Sequence, residues 1–287
     1  VGWLRKIGTT LEMIKWEHSI FVLPFALIGA MLAAGGWPPA MKLAWIVVCM
    51  VSARSAAMAF NRWADAGIDA ANPRTATRAI PAGLLSRGFV GGFTLASAAI
   101  FLYAASRLNR ETLLLAPVAL AIVLGYSYTK RFTRWSHLFL GLAMGIAPSA
   151  AWVAIRGTLD PRILILTAAV LFWGAGFDVL YACQDFEHDR RVGLNSIPAA
   201  IGIPGAFWVS NAMHTAALVF LILLVKVFAL GPAAWVGIAV VAGLLLYEHL
   251  IVSPTDLRRL NAAFFTMNGV ISILFFGFVA ADLLWRR

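Results

Sequence analysis

Residues 162–183 read RILILTAAVLFWGAGFDVLYAC. After Arg162 no charge appears until Asp178, and the apolar residues run on without alternation. A helix needs about 20 such residues to cross a bilayer. Hydrocarbon admits only helices and closed barrels, because no water is there to satisfy the backbone. A continuous apolar run selects the helix. Working outward and cutting wherever charges or Gly/Pro clusters interrupt, the chain yields about nine spans, near 19–36, 42–63, 88–106, 112–128, 136–155, 162–183, 205–229, 232–252 and 262–284. The expected fold is an all-α integral membrane protein, a bundle of about nine transmembrane helices. No long hydrophilic stretch divides it, so residues 1–287 read as a single transmembrane domain.

Composition agrees. Of 287 residues, 61% are hydrophobic and 13% charged, against about 25% charged in globular chains, and mean hydropathy is +0.84. The net charge of +10 would elsewhere point to nucleic acid, but no soluble basic domain remains to bind it. Basic residues instead collect in cytoplasmic loops beside anionic lipid. Fourteen Lys and Arg fall on the N-terminal segment and every second loop, and eight on the other side. That excess places the N-terminus in the cytoplasm, in a multi-pass protein of the inner (cytoplasmic) membrane. The segment VGWLRKIGTTLEMIKWEH (1–18) is amphipathic, without the apolar core or cleavage site of a signal peptide, and reads as lying along the membrane surface. Cys49 and Cys183 sit in apolar runs, which supports neither a disulfide framework nor a zinc site.

Six of the 13 acidic residues fall in two windows: Asp65 and Asp69 in NRWADAGID (61–69), and Asp178, Asp185, Glu187 and Asp189 in DVLYACQDFEHD (178–189). Both windows stand at the same end of an even-numbered span, although the halves are otherwise too dissimilar to be read as a duplication. Asn61, Asp65 and Asp69 are four apart; Asp178, Tyr181, Asp185 and Asp189 follow at three, four and four. Each set makes one stripe on a helix. A charge at the bilayer centre costs about 2.5–3.5 kcal/mol on insertion scales, so the stripes should face a wet cavity and each other. Hard oxygen donors suit Mg²⁺, usually held by one or two carboxylates plus a substrate's phosphates, and this points to a diphosphate. Arg74 and Arg78, Lys130 and Arg131, and Arg190 and Arg191 are near in sequence to grip the anion. Arg54, two turns before Asn61 on the same stripe, can take an anionic group below the metal layer.

Acids at helix ends beside basic loops are often only solubilising, but two matched motifs outweigh that reading. His188 is explained by loop polarity, since hard-metal sites seldom use imidazole. His18, His137, His214 and His249 read as interfacial or packing residues, and the tryptophans as belt and bundle residues. Gly29, Gly35, Gly36, Gly91, Gly92, Gly141 and Gly145 read as allowing close helix packing.

NRWADAGIDAANPRTATRAIPAG (61–83) and DVLYACQDFEHD (178–189) resemble the two aspartate-rich motifs of the UbiA superfamily of intramembrane aromatic prenyltransferases. IKWEHSIFVLPFALIGA (14–30), YSYTKR (126–131) and YEHLIVSPTDLRRLNAAFFTMNGVIS (247–272) are similar to segments of its 4-hydroxybenzoate polyprenyltransferase branch. The resemblance implies a nine-helix bundle with a cytoplasmic-side active-site cavity. It implies that Asp65, Asp69, Asp185 and Asp189 hold Mg²⁺, with Asn61, Lys130 and Arg131 at the prenyl diphosphate and Asp178 and Tyr181 near the aromatic acceptor. Many members carry Asp directly after the Asn, where this chain has Arg62; relatives with the Asn-Arg pairing are assigned to the futalosine route to menaquinone. The expected reaction transfers a polyprenyl group to 4-hydroxybenzoate, with a dihydroxynaphthoate-type acceptor as the alternative. Asp65, Asp178 and Asp185 are the expected catalytic groups, Asp178 polarising the acceptor hydroxyl and Arg54 receiving its carboxylate. A secondary transporter is the rival class, because intramembrane acids also mark ion pathways, although such acids usually lie near the midplane. The signature DGxxAR of lipid phosphotransferases is absent.

Overall fold

The computed structural model describes residues 2–15, 21–258, 260 and 266–285. His18, Arg259, Arg286, Arg287 and parts of the expected first and last spans lie outside the described residues. The described residues form helices and no strand: α1 (Trp3–Ile14), α2 (Leu23–Ala34), α3 (Ala40–Ala64), α4 (Ala66–Ala71), α5 (Arg87–Ser106), α6 (Arg110–Thr129), α7 (Ser136–Arg156), α8 (Leu164–Ala182), α9 (Phe186–Val192), α10 (Ile197–Val227), α11 (Pro232–Ile251) and α12 (Asn268–Trp285).

Eight helices among the described residues are long and apolar enough to cross a membrane, where the sequence predicts about nine. The difference is α2. Pro24 stands in its first turn and Gly35, in the left-handed conformation at φ 65°, ends it after 12 residues, so it rises about 18 Å against a hydrocarbon core of about 30 Å. It is buried along almost its whole length and packs against α7, with Phe25 against Trp173 of α8. A short helix without a polar face belongs inside the bundle.

α8 is the centre of the molecule, packed on α7 and α10. Close approach depends on glycine at specific points. A side chain at Gly141 or Gly145 would strike the α8 backbone at Leu171 or Thr167, and one at Gly29 would strike Pro148. Gly35 and Gly92 meet nothing, so the packing role expected of them is not seen. The outer faces keep large apolar side chains exposed, Leu95, Leu114, Leu250 and Trp208 among them, which marks a multi-pass membrane protein. In α1, Trp3, Leu4, Ile7 and Leu11 face outward while Met13 and Ile14 pack on Ala59, Leu85 and Val90.

Side-chain caps set the helix starts beside the acidic windows. Ser86 accepts from the Phe89 amide at the start of α5, and Ser196 accepts from the Ala199 amide at the start of α10. α10 then kinks at Gly202, φ 77°, two residues before Pro204. The predicted span beginning at 205 is the straight part beyond that kink.

Candidate active site

Neither acidic stripe runs along one unbroken helix as the spacing predicts. α3 stops at Ala64 and α4 starts at Ala66, with Asp65 between them at φ −92°, ψ 4°. α8 passes through a 3₁₀ turn, Cys183–Asp185, into α9, with Asp185 at φ −101°, ψ 7°. Both aspartates occupy the sparsely populated bridge region, and each aims its carboxylate from a joint between a long helix and a short one.

Partners from distant sequence close on these joints. Asn61 Nδ2 donates to Asp65 Oδ2 at 3.1 Å and to Ser127 Oγ at 3.4 Å. Lys130 Nζ lies 2.7 Å from Asp65 Oδ2. Arg131 Nη2 donates to Asp65 Oδ1 at 3.3 Å and to the Ala64 carbonyl at 2.8 Å. Arg78 Nη1 donates to Asp69 Oδ1 at 2.6 Å. At the second joint, Asn72 Nδ2 and Arg74 Nε each donate to Asp185 Oδ1 at 2.8 Å, and Arg74 Nη2 forms a close ion pair with Asp185 Oδ2. Arg74 also donates to the Tyr181 hydroxyl at 3.3 Å. Burial works against the Arg74 charge, but the hydrogen bonds and negative charge of Asp185, with Tyr181, more than offset it and hold its pKa above the ordinary arginine value. Ser196 Oγ donates to Asp189 Oδ2 at 2.9 Å.

The joints enclose a polar cavity of about 580 Å³. Arg54, Asn61, Asp65, Asp69, Arg74, Arg78, Lys130, Asp178, Tyr181, Asp185 and Asp189 all line it. Arg131, expected as a diphosphate group, does not: it braces Asp65 from behind and lies over the Tyr128 ring at 4.8 Å. A second cavity of about 200 Å³, almost wholly apolar, adjoins the first and shares Arg54, Met58, Tyr126, Leu140 and Met144 with it.

The sequence reading passed over several residues. His137, read as a packing histidine, lines the cavity and holds Asp178 Oδ2 at 2.7 Å through Nδ1. Its Nε2 faces the Ile197 amide at 3.3 Å and must accept there, so Nδ1 carries the proton given to Asp178. A lone histidine between Ser136 and Leu138 carries no signal of this. Asn72 was findable, since it stands inside the quoted motif next to Pro73-Arg74. Ser196 could be read as a helix cap but not as an Asp189 partner. His188 lines the cavity with Nε2 buried and unpartnered.

The donor set fits a hard cation. Asp65 and Asp69 are only 1% and 4% exposed, and Asp69 Oδ2 is buried without a hydrogen-bond partner, a cost that a positive ligand would remove. Among the described residues no three His, Cys, Asp or Glu side chains gather closely enough to hold a metal unaided. Two facing half-sites of one or two carboxylates are what Mg²⁺ shares with phosphate oxygens.

Membrane-spanning helices around an acid- and arginine-lined cavity, with an apolar annex, define a membrane enzyme that handles an amphipathic anion. Comparison with known proteins gives the particular family. The sequence model of the UbiA prenyltransferase family matches residues 22–270, and the chain belongs to that family, a prenyl-transferring membrane enzyme. The chain is 30% identical over 283 residues to the 4-hydroxybenzoate octaprenyltransferase of Cupriavidus necator, covering 97% of this chain and 98% of that one. A UbiA homolog of Aeropyrum pernix K1, solved in the apo state, superposes with a TM-score of 0.85 at 35% identity, covering 93% and 98% of the two chains. A UbiA homolog of Archaeoglobus fulgidus bound to GPP and Mg²⁺ shares the fold at TM-score 0.70 and 20% identity, covering 96% and 99%. The transporter reading is set aside.

Proposed function

We propose that the protein transfers a polyprenyl group from a polyprenyl diphosphate to 4-hydroxybenzoate in quinone biosynthesis, with Mg²⁺, as one transmembrane domain of the inner membrane whose cavity opens to the cytoplasm. The observation that carries this reading is the pairing of two acidic joints across one polar cavity with an apolar cavity beside it. The names of curated relatives support the acceptor, and a solved relative with GPP and Mg²⁺ supports the donor and metal. The Lys/Arg distribution supports the orientation.

Asp65, Asp69, Asp185 and Asp189 would hold Mg²⁺, which supplies positive charge to the oxygens of the departing diphosphate. Arg74, Arg78 and Lys130 each stand neutralised by a carboxylate. As the headgroup enters, these three turn to its phosphate oxygens and place preorganised charge where the leaving group becomes more negative. The prenyl C–O bond breaks with its electron pair on the diphosphate, and Tyr126 and Tyr181 present aromatic faces to the allylic cation. Asp178, fixed by His137, accepts the hydrogen bond of the acceptor hydroxyl. The ring carbon ortho to it forms the new bond, and the proton lost there passes to solvent in the cavity. Arg54, at the junction of the cavities, receives the acceptor carboxylate, and the apolar tail leaves through the annex toward lipid.

Purified protein given polyprenyl diphosphate and Mg²⁺ with 4-hydroxybenzoate or with a dihydroxynaphthoate should yield the prenylated benzoate by mass. Product from the naphthoate alone would move the acceptor to the alternative that Arg62 raises, and no product from either would overturn the reading.

A further inference from the structure

Arg62 follows Asn61 on the last turn of α3, is half-buried, and lines the polar cavity. Arg74, Arg78 and Lys130 on the same walls are each neutralised by an aspartate. Arg62 forms no ion pair or hydrogen bond with a described residue. Its charge is felt by Asp69, Arg78, Tyr126 and Tyr181, and the one carboxylate in that set already accepts from Arg78 at 2.6 Å. Two guanidiniums thus lie near one aspartate that is already hydrogen-bonded to Arg78, which leaves Arg62 without a carboxylate of its own on the cavity wall. Like charges held together away from water are costly unless an anion completes them.

Building on the proposed donor site, we infer that Arg62 is its first anion anchor, a positioning residue that engages the diphosphate before any ion pair of the resting cavity opens. Arg62 is already available, whereas Arg74, Arg78 and Lys130 must first exchange a carboxylate. Pyrophosphate should therefore bind this protein weakly even without divalent metal, and Asp69, a carboxylate competing for the same guanidiniums, should oppose that binding.

The test is calorimetric titration of the purified full chain with inorganic pyrophosphate in EDTA, alongside steady-state kinetics with Mg²⁺. Arg62→Gln should weaken metal-free pyrophosphate binding about tenfold, the worth of one charge-assisted contact, and raise KM for the prenyl diphosphate by a similar factor with little change in KM for the acceptor. Arg62→Lys should lie between. Asp69→Asn should bind pyrophosphate more tightly than wild type in EDTA while losing transfer, an inversion that general loosening of the fold does not produce. Wild type that binds no pyrophosphate in EDTA, an Arg62→Gln protein that binds it equally well, or a change confined to the acceptor KM would each overturn the inference. Absence of transfer by wild type would strike the proposed function instead, while the pyrophosphate titration would still judge Arg62.

Discussion

Asp65 and Asp185 hold the same backbone position, a joint between a long helix and a short one, but they are secured from different places. Asp65 is held by Asn61 of its own helix and by Lys130 and Arg131 at the end of α6. Asp185 is held by Asn72 and Arg74, which belong to the loop just after the first joint. The first motif therefore builds its own site and also organises the second, whereas the second motif contributes nothing to holding Asp65. The two joints look like equal halves of a metal site, yet the assembly runs from the first to the second.

Removing either carboxylate tests the equality they share. Asp65→Ala and Asp185→Ala should each lower kcat by about 10³-fold, the scale on which one preorganised electrostatic group acts, with the protein still extractable and folded. Initial rates with saturating donor and Mg²⁺ measure this. Near-wild-type turnover in either variant would break the symmetry of the two joints.

Much of this arrangement was legible in the sequence because it is carried by charge and spacing. Apolar runs indicate the bundle, and the four-residue intervals pick out acids that line one cavity. The helix breaks at Asp65 and Asp185 were not legible: no proline or glycine occupies either position, and a period of four describes a continuous helix equally well. The shortness of α2 was not legible either, because its apolar residues match those of a crossing helix and the left-handed turn at Gly35 that ends it after 12 residues has no unambiguous mark in the sequence. Pairings between distant segments, Asp185 with Arg74 or Asp178 with His137, depend on how helices converge and leave no local pattern.

The first joint can be probed through stability. Lys130→Met leaves Asp65, at 1% exposure, with the neutral Asn61 amide at 3.1 Å and one longer ion pair, to Arg131 at 3.3 Å. Stranding one member of a buried pair costs up to about 3 kcal/mol, the low end of the usual range because Lys130 is itself one-third exposed. Adding Asp65→Asn should return most of that stability. Thermal denaturation in one detergent compares the three proteins. A double variant no more stable than Lys130→Met would mean that Lys130 stabilises by packing.

The dependence of the second joint on the first loop is sharpened by Arg74→Lys. Lysine keeps the charge but cannot make the forked contact to both Asp185 oxygens while also reaching Tyr181. A loss of about 30-fold in kcat/KM for the donor is expected, on the scale of one to two charge-assisted hydrogen bonds. Lys130→Arg at the first joint should lose only a few-fold, because that contact is a single point charge. Equal losses at both sites would remove the asymmetry.

A smaller loss than at Asp65, Asp185 or Arg74 is expected at His137, which touches Asp178 and not the diphosphate side of the cavity. With Nε2 accepting from the Ile197 amide, the ring is locked in the tautomer whose Nδ1–H fixes one oxygen of Asp178 and leaves the other for the acceptor hydroxyl of the proposed reaction. Asparagine at 137 can keep a donor near Asp178, whereas alanine removes it. His137→Ala should therefore lower kcat about tenfold, one charge-assisted hydrogen bond, while KM for the prenyl diphosphate stays within about twofold, and His137→Asn should recover part of the loss. A merely structural histidine would change stability in both variants and shift both KM values together. If His137→Ala instead raised the donor KM with kcat intact, Asp178 would belong to the diphosphate side of the cavity, and the second motif would carry no group for the acceptor.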